Sequence, residues 1–322
     1  MSATREAPPT TGPTPRPTSE PRATDRSWPV VTVVVPVHGD RGQIAGTARA
    51  LAAQDYPGDV HVVVVDNGDN VDLDGSTAVL ENLQLVSEPQ PGSYAARNAA
   101  LPLAVGEVLA FTDGDCLPRP DWLTAGVAEL LAAPGPAFVG GAIELFPRDP
   151  AHPTAAELWD CANGLRQDVY VRVQGWAATA NMMTLRSTFD DVGRFSQTLR
   201  SGGDREWGQR AVARGVRPVF GAAAVVDHPA RRTMAELHKK VRRVTRGEVD
   251  KRRAAGAPPV DVAELLRSLR PNVRSILRTS RQVGPRWSPD RVRYVAVAQW
   301  LQYYFIGAGL HAAIVTRRAR DE

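Results

Sequence analysis

The sequence predicts an α/β fold in which a mostly parallel sheet is flanked by helices, with a helical extension at the C-terminal end. Two apolar runs, VVTVVVPV from Val30 and VHVVVVD from Val60, are rich in β-branched residues, which is typical of strands covered on both faces. Segments with apolar residues at helical spacing separate these runs from later ones. Strands that alternate with helices favour a parallel sheet, because parallel neighbours need a crossover connection.

The elements follow one another in a regular order. After the first strand, Ile44, Ala48 and Leu51 recur at the spacing of one helix face. Further strands are predicted in LQLVS, EVLAFTD and AFVGGAIEL, and further helices in YAARNAALPLA and WLTAGVAELLAA. This pattern predicts one large α/β domain over residues 29–230.

Polar residues gather where three of the predicted strands end. They are His38, Gly39 and Asp40 after the first strand, Asp66 and Asn67 after the second, and Asp113 and Asp115 after a later one. In open α/β sheets, ligands bind beyond the carboxyl ends of the strands. The sequence therefore predicts a ligand site at this edge of the sheet.

The flanking regions have a different composition. Residues 1–28 are rich in Pro, Thr and Arg and contain no apolar signal-peptide core, so we expect a disordered leader. Residues 231–322 are predicted to form basic and apolar helices. The two cysteines, Cys116 and Cys161, lack metal-ligand spacing and are interpreted as small core residues in a reducing cytoplasm. We expect a cytoplasmic protein, with the inner face of the membrane as a candidate peripheral location.

Asp113, Gly114 and Asp115 end a buried strand with two like charges. Hard cations such as Mg²⁺ and Mn²⁺ prefer carboxylate oxygens and share their coordination with substrate phosphates. A lone Asp-Gly-Asp is also a common turn sequence. The motif by itself therefore leaves both a metal site and a plain turn open.

Its surroundings favour the metal site. The segments VVVPVHGD, ALAAQDYPGDVHVVVVDNGD, PGSYAARNAALPLAVGEVLAFTDGDCLP and SGGDREWGQRAVARG resemble, in order and spacing, the family 2 glycosyltransferases of GT-A fold. The resemblance runs from Val30 to His228. It implies a Rossmann-like nucleotide-diphospho-sugar transferase fold, a nucleotide-diphosphate sugar donor, a hydroxyl acceptor (glycan, lipid-linked or small molecule) and Mg²⁺ or Mn²⁺.

The resemblance also implies roles for individual residues. Asp66 would accept a hydrogen from the base edge, Asp115 would bind the metal, and Asn181 would lie near the donor sugar. The whole implied donor site consists of Pro36, His38, Asp40, Asp66, Gly92, Ser93, Arg97, Asp113, Gly114, Asp115 and Asn181. One departure is Asn67 and Asp69, where family members usually carry an aspartate and a serine.

A carboxylate must remove the proton of the acceptor hydroxyl as the new bond forms. Asp204 follows two glycines and stands at the acidic position that serves the family as catalytic base. Glu206 is the alternative base, and a helix N-cap is the alternative role of Asp204. His228, after the last core strand, resembles the family's further metal ligand. Three tryptophans could supply a stacking wall for a sugar ring, namely Trp159, Trp176 and Trp207, and a place in the core is the alternative for Trp159.

These observations predict an inverting, metal-dependent glycosyltransferase. The alternatives are a sugar nucleotidyltransferase and a non-catalytic, membrane-associated scaffold that keeps the fold. The chain lacks G-x-G-x-x-G, P-loop, H-E-x-x-H and G-x-S-x-G motifs, which argues against dinucleotide-binding, ATPase, zinc protease and serine hydrolase classes.

The C-terminal region carries a basic run and an apolar run. Residues 228–253 contain ten Lys or Arg against three Asp or Glu, an excess that suits a solvated helix face, a donor diphosphate (Arg242, Arg243 and Arg246) or anionic lipid. No aromatic or groove-reading motif accompanies these charges, so nucleic acid is not an expected partner. Tyr294–Val315 has no charged residue, and we expect it to pack on the domain or to lie at a membrane interface rather than to span.

Overall fold

A computed structural model describes residues 28–38, 41–68, 74–199, 201–254, 256–258, 268–270 and 272–321. Residues 1–27, which make up nearly all of the predicted leader, lie outside the described residues, as do Gly39 and Asp40. The strands are β1 Val31–Val37, β2 Val60–Asp66, β3 Leu83–Ser87, β4 Val108–Thr112, β5 Leu117–Pro118, β6 Ala137–Phe146, β7 Asn181–Leu185 and β8 Arg217–Pro229.

The helices lie on either side of these strands in the chain, as the sequence predicts. They are α1 Arg41–Ala52, α2 Asp74–Thr77, α3 Ser93–Ala100, α4 Trp122–Ala132, α5 Ala155–Asn163, α6 Gln167–Gln174, α7 Arg186–Val192, α8 Gly203–Ala213, α9 Met234–Ala254, α10 Val273–Thr279 and α11 Pro289–Asp321, with 3₁₀ turns at Leu101–Leu103 and Ser280–Gln282.

The described strands form one mixed sheet of eight strands in the order β3-β2-β1-β4-β7-β6-β8-β5. Strands β3, β2, β1 and β4 are parallel, and β7 then pairs antiparallel with both β4 and β6. The parallel half brings the carboxyl ends of β1, β2 and β4 to one edge. This is the arrangement that the strand-end polar residues predict.

The core lies on both faces of the sheet. Along β1, Val33 and Val35 belong to one apolar cluster, while Val34 belongs to another cluster with Val63 and Val65 of β2. All five side chains are at most 1 % exposed. Burial on both faces explains why these strands read as continuous β-branched runs rather than as alternating patterns.

The C-terminal helices form a third, smaller apolar cluster against α5. Leu237 and Val241 of α9 pack on Val297 and Leu301 of α11, and all four are nearly or fully buried. A Thr233–Glu236 capping box begins α9, since each residue's side chain accepts a hydrogen bond from the other's backbone amide. Among the described helices, α11 included, none combines the length and the apolarity that a membrane crossing requires.

Candidate active site

The carboxyl edge of the parallel strands gathers several of the predicted site residues. Val37 of β1 is in register with Asp66 of β2, and Phe111 of β4 lies beside β1 two residues before Asp113. The strand ends thus place Pro36, His38, Asp66 and Asp113 along one edge. His38 is exposed, and its Nδ1 lies 2.9 Å from the carbonyl oxygen of Asn67. The predicted position of Asp40 lies outside the described residues.

The Asp113–Asp115 turn is held from two sides. The buried hydroxyl of Thr47, on α1, lies 2.9 Å from the carbonyl oxygen of Gly114 and 2.7 Å from that of Cys116. A side chain at Gly114 would meet the first strand, because its Cβ would lie 3.1 Å from the Val37 side chain. The turn is therefore packed against β1 and tied to α1. The sequence analysis did not single out Thr47.

Four potential ligand atoms of this turn and of β8 lie within 4.8 Å of one another. They belong to Asp113, Asp115, Cys116 and His228. His228 Nδ1 lies 2.8 Å from the carbonyl oxygen of Pro229 and Nε2 lies 4.0 Å from Asp115 Oδ1. A proton on Nδ1 donated to that carbonyl leaves the Nε2 lone pair directed towards Asp115, which is the tautomer that a metal ligand needs.

Electrostatics at this cluster favour a bound cation. Burial raises the pKa of Asp115 and the carboxylate of Asp113 raises it further, while His228 and Arg231 oppose the shift. Two carboxylates this close together repel each other, and a divalent cation relieves that repulsion. Burial also raises the pKa of the Cys116 thiol, so the thiol stays protonated. The oxygens and the imidazole are the available ligands.

Asn67, which stands where family members usually carry an aspartate, makes hydrogen bonds that an aspartate could not make. Its amide Nδ2 donates to the carbonyl oxygens of Glu88, at 2.9 Å, and Gln90, at 2.7 Å, and its Oδ1 accepts from the Gly92 amide at 2.8 Å. An ionised aspartate at this position could not donate hydrogen bonds to the two carbonyl oxygens. Asn67 thus fixes the loop before α3, in which Gly92 has a φ of +131° that favours glycine.

Arg97 connects this loop with the acidic turn. Its guanidinium is 2 % exposed, forms a salt bridge with Asp113, and donates to the carbonyl oxygen of Ser93 at 3.3 Å. It also lies 5.8 Å from the centre of the Tyr94 ring. A buried guanidinium beside a partly exposed carboxylate places a positive charge next to the acidic turn.

Asp204 is the second residue of α8 and not its N-cap. Gly202 occupies the cap position with a left-handed φ of +80° and no side chain to cap with, so the N-cap alternative for Asp204 is wrong. The Asp204 Oδ1 accepts hydrogen bonds from the Tyr94 hydroxyl at 3.1 Å and from the Arg205 amide at 2.9 Å. Its place in the first turn also suits a negative charge, because the helix dipole is positive there.

The pKa of Asp204 is raised, and burial is the main cause. The Arg205 amide, the charge of Arg97 and the Tyr94 hydroxyl act in the opposite direction, and Asp113 adds to the rise. A carboxylate with a raised pKa is a stronger base than an exposed one. Glu206, the alternative base, is held by both oxygens on the Arg210 guanidinium at 2.9 and 3.2 Å.

Tyr94 links Asp204, the candidate base, to the acidic turn. Its hydroxyl contacts Asp204, its ring lies beside Arg97, and Arg97 contacts Asp113. Gly203 has no room for a side chain, since a Cβ there would lie 2.7 Å from the Tyr94 ring. Asp204 and the Asp113–Asp115 pair, 89 residues or more apart in sequence, therefore share one connected site.

Two residues from the sequence analysis have structural roles. Asn181 is buried, with its Nδ2 donating to the carbonyl oxygens of Ala142 and Ala224 and its Oδ1 accepting from the Trp122 indole, each at 2.8 Å. Trp207 is fully buried and stacks on Phe189, so its assignment to a sugar-stacking wall is wrong. Burial removes this indole from contact with any ligand.

The other two tryptophans are partly buried. Trp176 stacks on Tyr170 with ring centres 4.2 Å apart, and Trp159 lies under the Lys240 ammonium at 5.7 Å. Lys240 and Arg231 both bind the fully buried carboxylate of Asp160, each at 2.9 Å. This buried ion cluster fixes α9 to α5.

The sequence is similar to those of known glycosyltransferases. The sequence model described as Glycosyl transferase family 2 matches residues 32–196. Glycosyltransferase AglE of Haloferax volcanii is 35 % identical over 230 residues, which are 69 % of this chain and 73 % of that protein. Pre-mycofactocin glycosyltransferase of Mycobacterium tuberculosis is 26 % identical over 228 residues, which are 67 % of this chain and 45 % of the relative.

Solved structures show the same fold. The mannosyltransferase PcManGT of Pyrobaculum calidifontis, determined in complex with GDP-Man and Mn²⁺, superposes with a TM-score of 0.58 at 22 % identity and covers 88 % of this chain and 87 % of its own. GalNAc-T7 with UDP, GalNAc and Mn²⁺ superposes with a TM-score of 0.52 at 16 % identity, over 75 % of this chain and 54 % of its own. The GT-A prediction is confirmed.

Proposed function

This chain belongs to glycosyltransferase family 2, and we propose that it is an inverting enzyme that transfers a sugar from a nucleotide-diphosphate sugar to an acceptor hydroxyl. The observation that carries the proposal is the connected series Asp204–Tyr94–Arg97–Asp113. It puts a carboxylate with a raised pKa in the same site as an acidic turn beside a buried arginine. Base and donor-binding charges are the two components that the reaction requires.

The donor would lie along the carboxyl edge of the parallel strands. Asp66 and the loop fixed by Asn67 would border the base, and Ser93 and Arg97 would flank the ribose and diphosphate. Pro36, His38, Gly92 and Gly114 would supply the wall. That PcManGT and GalNAc-T7 were determined with a nucleotide or nucleotide sugar and Mn²⁺ supports this class of donor.

Asp115 and His228 fit a divalent cation, Mg²⁺ or Mn²⁺. Their ligand atoms are 4.0 Å apart, and the contact of His228 Nδ1 with the Pro229 carbonyl leaves Nε2 available. When bound, such a cation stabilises the negative charge that develops on the leaving nucleoside diphosphate. Asp113, held by Arg97, would keep the opposite side of the turn in place.

Asp204 would accept the proton of the acceptor hydroxyl while that oxygen bonds to the anomeric carbon of the sugar. The bond from that carbon to the diphosphate oxygen breaks in the same displacement, and the nucleoside diphosphate leaves. A single displacement by a base-activated hydroxyl inverts the anomeric centre. Tyr94 would keep the Asp204 carboxylate oriented towards the acceptor.

The acceptor class stays open among glycans, lipid-linked molecules and small molecules, and the location that we propose is cytoplasmic with peripheral contact to a membrane. The test is a panel of nucleotide sugars incubated with the chain and Mn²⁺ or Mg²⁺, read by mass spectrometry for nucleoside diphosphate and glycosylated product. We expect release from one donor, lost on chelation and lost in Asp204→Asn. Asp190→Asn, an exposed surface carboxylate on α7, is the matched control.

The other outcomes would refute the proposal. A chain that binds no donor would be a scaffold, and one that forms nucleotide sugar from a sugar phosphate would be a nucleotidyltransferase. Transfer at the full rate by Asp204→Asn would remove Asp204 from the role of base.

A further inference from the structure

The C-terminal helix α11 has two apolar faces, of which only one is covered. Tyr294, Val297 and Leu301 face α9 and α5 and are at most 8 % exposed. The opposite side carries Val292, Ala296, Tyr303, Leu310 and Ile314 at spacings of four and seven residues, and each of them is exposed. We call these five residues the apolar stripe. An exposed apolar surface of this extent marks a contact with another molecule.

The stripe is long, and from Tyr294 onwards the helix that bears it carries no charge as far as Val315. Val292 and Ile314 are 22 residues apart, which corresponds to about 33 Å along a helix. Asp, Glu, Lys and Arg are absent from Tyr294 to Val315. A straight apolar line of this length suits an extended, flat partner better than a compact pocket ligand.

A cavity of about 700 Å³ lies at the N-terminal end of the stripe, between α10 and α11. Leu277, Val292 and Val295 form its apolar walls, and Arg281, Arg286 and Arg291 are also among its lining residues. Within the described part of α10 no residue is buried, and Leu277 is 45 % exposed. The cavity therefore combines an open apolar surface with three cations.

Trp287 stands at the rim of this cavity in an unfavourable backbone conformation. Its φ is +69°, in the left-handed region that bulky residues rarely adopt, and its side chain is 78 % exposed. The Arg286 guanidinium lies 5.4 Å from the indole. An exposed indole held at a cost in backbone energy, next to arginines, is the arrangement that anchors proteins at the interface between headgroups and acyl chains.

The charges decide which partner fits. Residues 273–315 contain six arginines and one acidic residue, Asp290. A second copy of this chain docked on the same surface would bring arginines against arginines, which opposes association. An anionic lipid surface offers phosphates to the arginines and acyl chains to the stripe.

We propose that the apolar stripe, with Trp287 and the arginines of its N-terminal cavity, docks on an anionic lipid surface. The stripe lies in the plane of that surface, and the buried face of α11 remains packed on α9. This inference deepens the peripheral membrane location proposed above by naming the surface and the lipid charge, and it does not depend on which sugar or acceptor the enzyme uses.

The test is co-sedimentation of the full chain with vesicles of phosphatidylcholine alone and of equal parts phosphatidylcholine and phosphatidylglycerol. We expect binding to the anionic vesicles only, weakening as salt is added. Each arginine near such a surface contributes about fivefold to the partition constant, so Arg281→Gln with Arg286→Gln should weaken binding roughly 25-fold. Arg214→Gln with Arg217→Gln, two exposed arginines of the catalytic domain, should leave binding unchanged.

The apolar contribution is tested separately. Tyr303→Ser with Leu310→Ser should weaken vesicle binding at least roughly tenfold, because both side chains leave water on docking. Val173→Ser, at a 77 % exposed position on α6, is the matched control. All four variants alter exposed side chains, and thermal melting checks that they fold.

Four results would overturn the proposal. The first is equal binding to both vesicle types, and the second is wild-type binding by the Arg281/Arg286 pair. The third is a dimer, seen by light scattering, that Leu310→Ser dissociates, since this would assign the stripe to a second copy of the chain. Absence of binding to either vesicle likewise excludes a lipid surface.

Discussion

Replacing Tyr94 with phenylalanine removes the hydroxyl through which α3 contacts Asp204, the proposed base. That hydroxyl donates to Asp204 Oδ1 at 3.1 Å, while the ring is only 6 % exposed and packs against Gly203 and Phe195. Phenylalanine fills the same space. The change is therefore confined to the hydrogen bond.

The structure gives the direction and the size of the effect. A hydrogen bond to a charged group contributes about 1.5–3 kcal/mol, and one pKa unit corresponds to about 1.4 kcal/mol. The bond favours the ionised form of Asp204, so its loss raises the pKa of Asp204 further. Burial already raises that pKa, and the variant adds to the same shift.

The assay is the pH dependence of kcat/KM with a saturating acceptor. A base acts only when it is ionised, so the acid limb of the Tyr94→Phe profile should move up by about one to two pH units. At pH values well above the limb, the variant should approach the wild-type rate. Below the limb, kcat/KM should fall roughly tenfold or more relative to the wild type.

Tyr56→Phe is the matched control. Tyr56 is also buried, and its hydroxyl donates to the Pro29 carbonyl at 2.5 Å, at the opposite end of β1 from the site. It should lower the melting temperature without moving the acid limb. A Tyr94→Phe profile that superimposes on the wild-type profile would refute the link between this hydroxyl and the base.

Three further changes test other parts of the site. Asp115→Asn should reduce Mn²⁺ affinity, followed by electron paramagnetic resonance, and lower the transfer rate roughly a hundredfold, because the carboxylate beside His228 loses its charge. Asn67→Asp should raise the KM for the donor roughly tenfold in steady-state kinetics, since the two carbonyls that it binds lose their donors; an unchanged KM would contradict this. Asp160→Asn should lower the free energy of unfolding in urea by about 3–5 kcal/mol, because it leaves Arg231 and Lys240 partly buried without their counter-charge. Since those cations hold the pKa of Asp160 below its usual range, wild-type stability should fall as pH falls through that lowered pKa, and Asp160→Asn should lack this loss.

Local patterns in the sequence predict most of the parallel half of the sheet. β1 and β2 are continuous β-branched runs because both of their faces are covered, and burial of this kind is visible in composition alone. The ends of β1, β2 and β4 meet because parallel strands share one carboxyl edge. The acidic residues after them could therefore be placed together without coordinates. The antiparallel pairing of β7 with β4 and β6 has no such signal, since it depends on a long-range connection.

The contacts that connect the site depend on three-dimensional packing. Thr47 reads as one polar residue in a helix, yet its hydroxyl lies between two carbonyls of a turn 67 residues away in sequence. The partnership of Tyr94 and Asp204 spans 110 residues. The sequence pattern alone does not place Trp207 at the surface or in the core. Its stacking contact with Phe189 shows that it lies in the core. Sequence patterns show periodicity and composition. Neither of these reveals which residues distant in sequence contact each other in the fold.

The helix α9 contacts both the loop before Asp204 and the C-terminal helix α11. Its Arg243 donates to the Ser201 hydroxyl at 3.2 Å, and a side chain at Gly247 would meet Ser201 at 2.9 Å, three residues before Asp204. Its other face packs on α11. Because α9 contacts both the loop before Asp204 and the helix α11, we expect a tilt of α11 to displace that loop. Turnover should then respond to what the C-terminal helix rests on, even for a water-soluble acceptor.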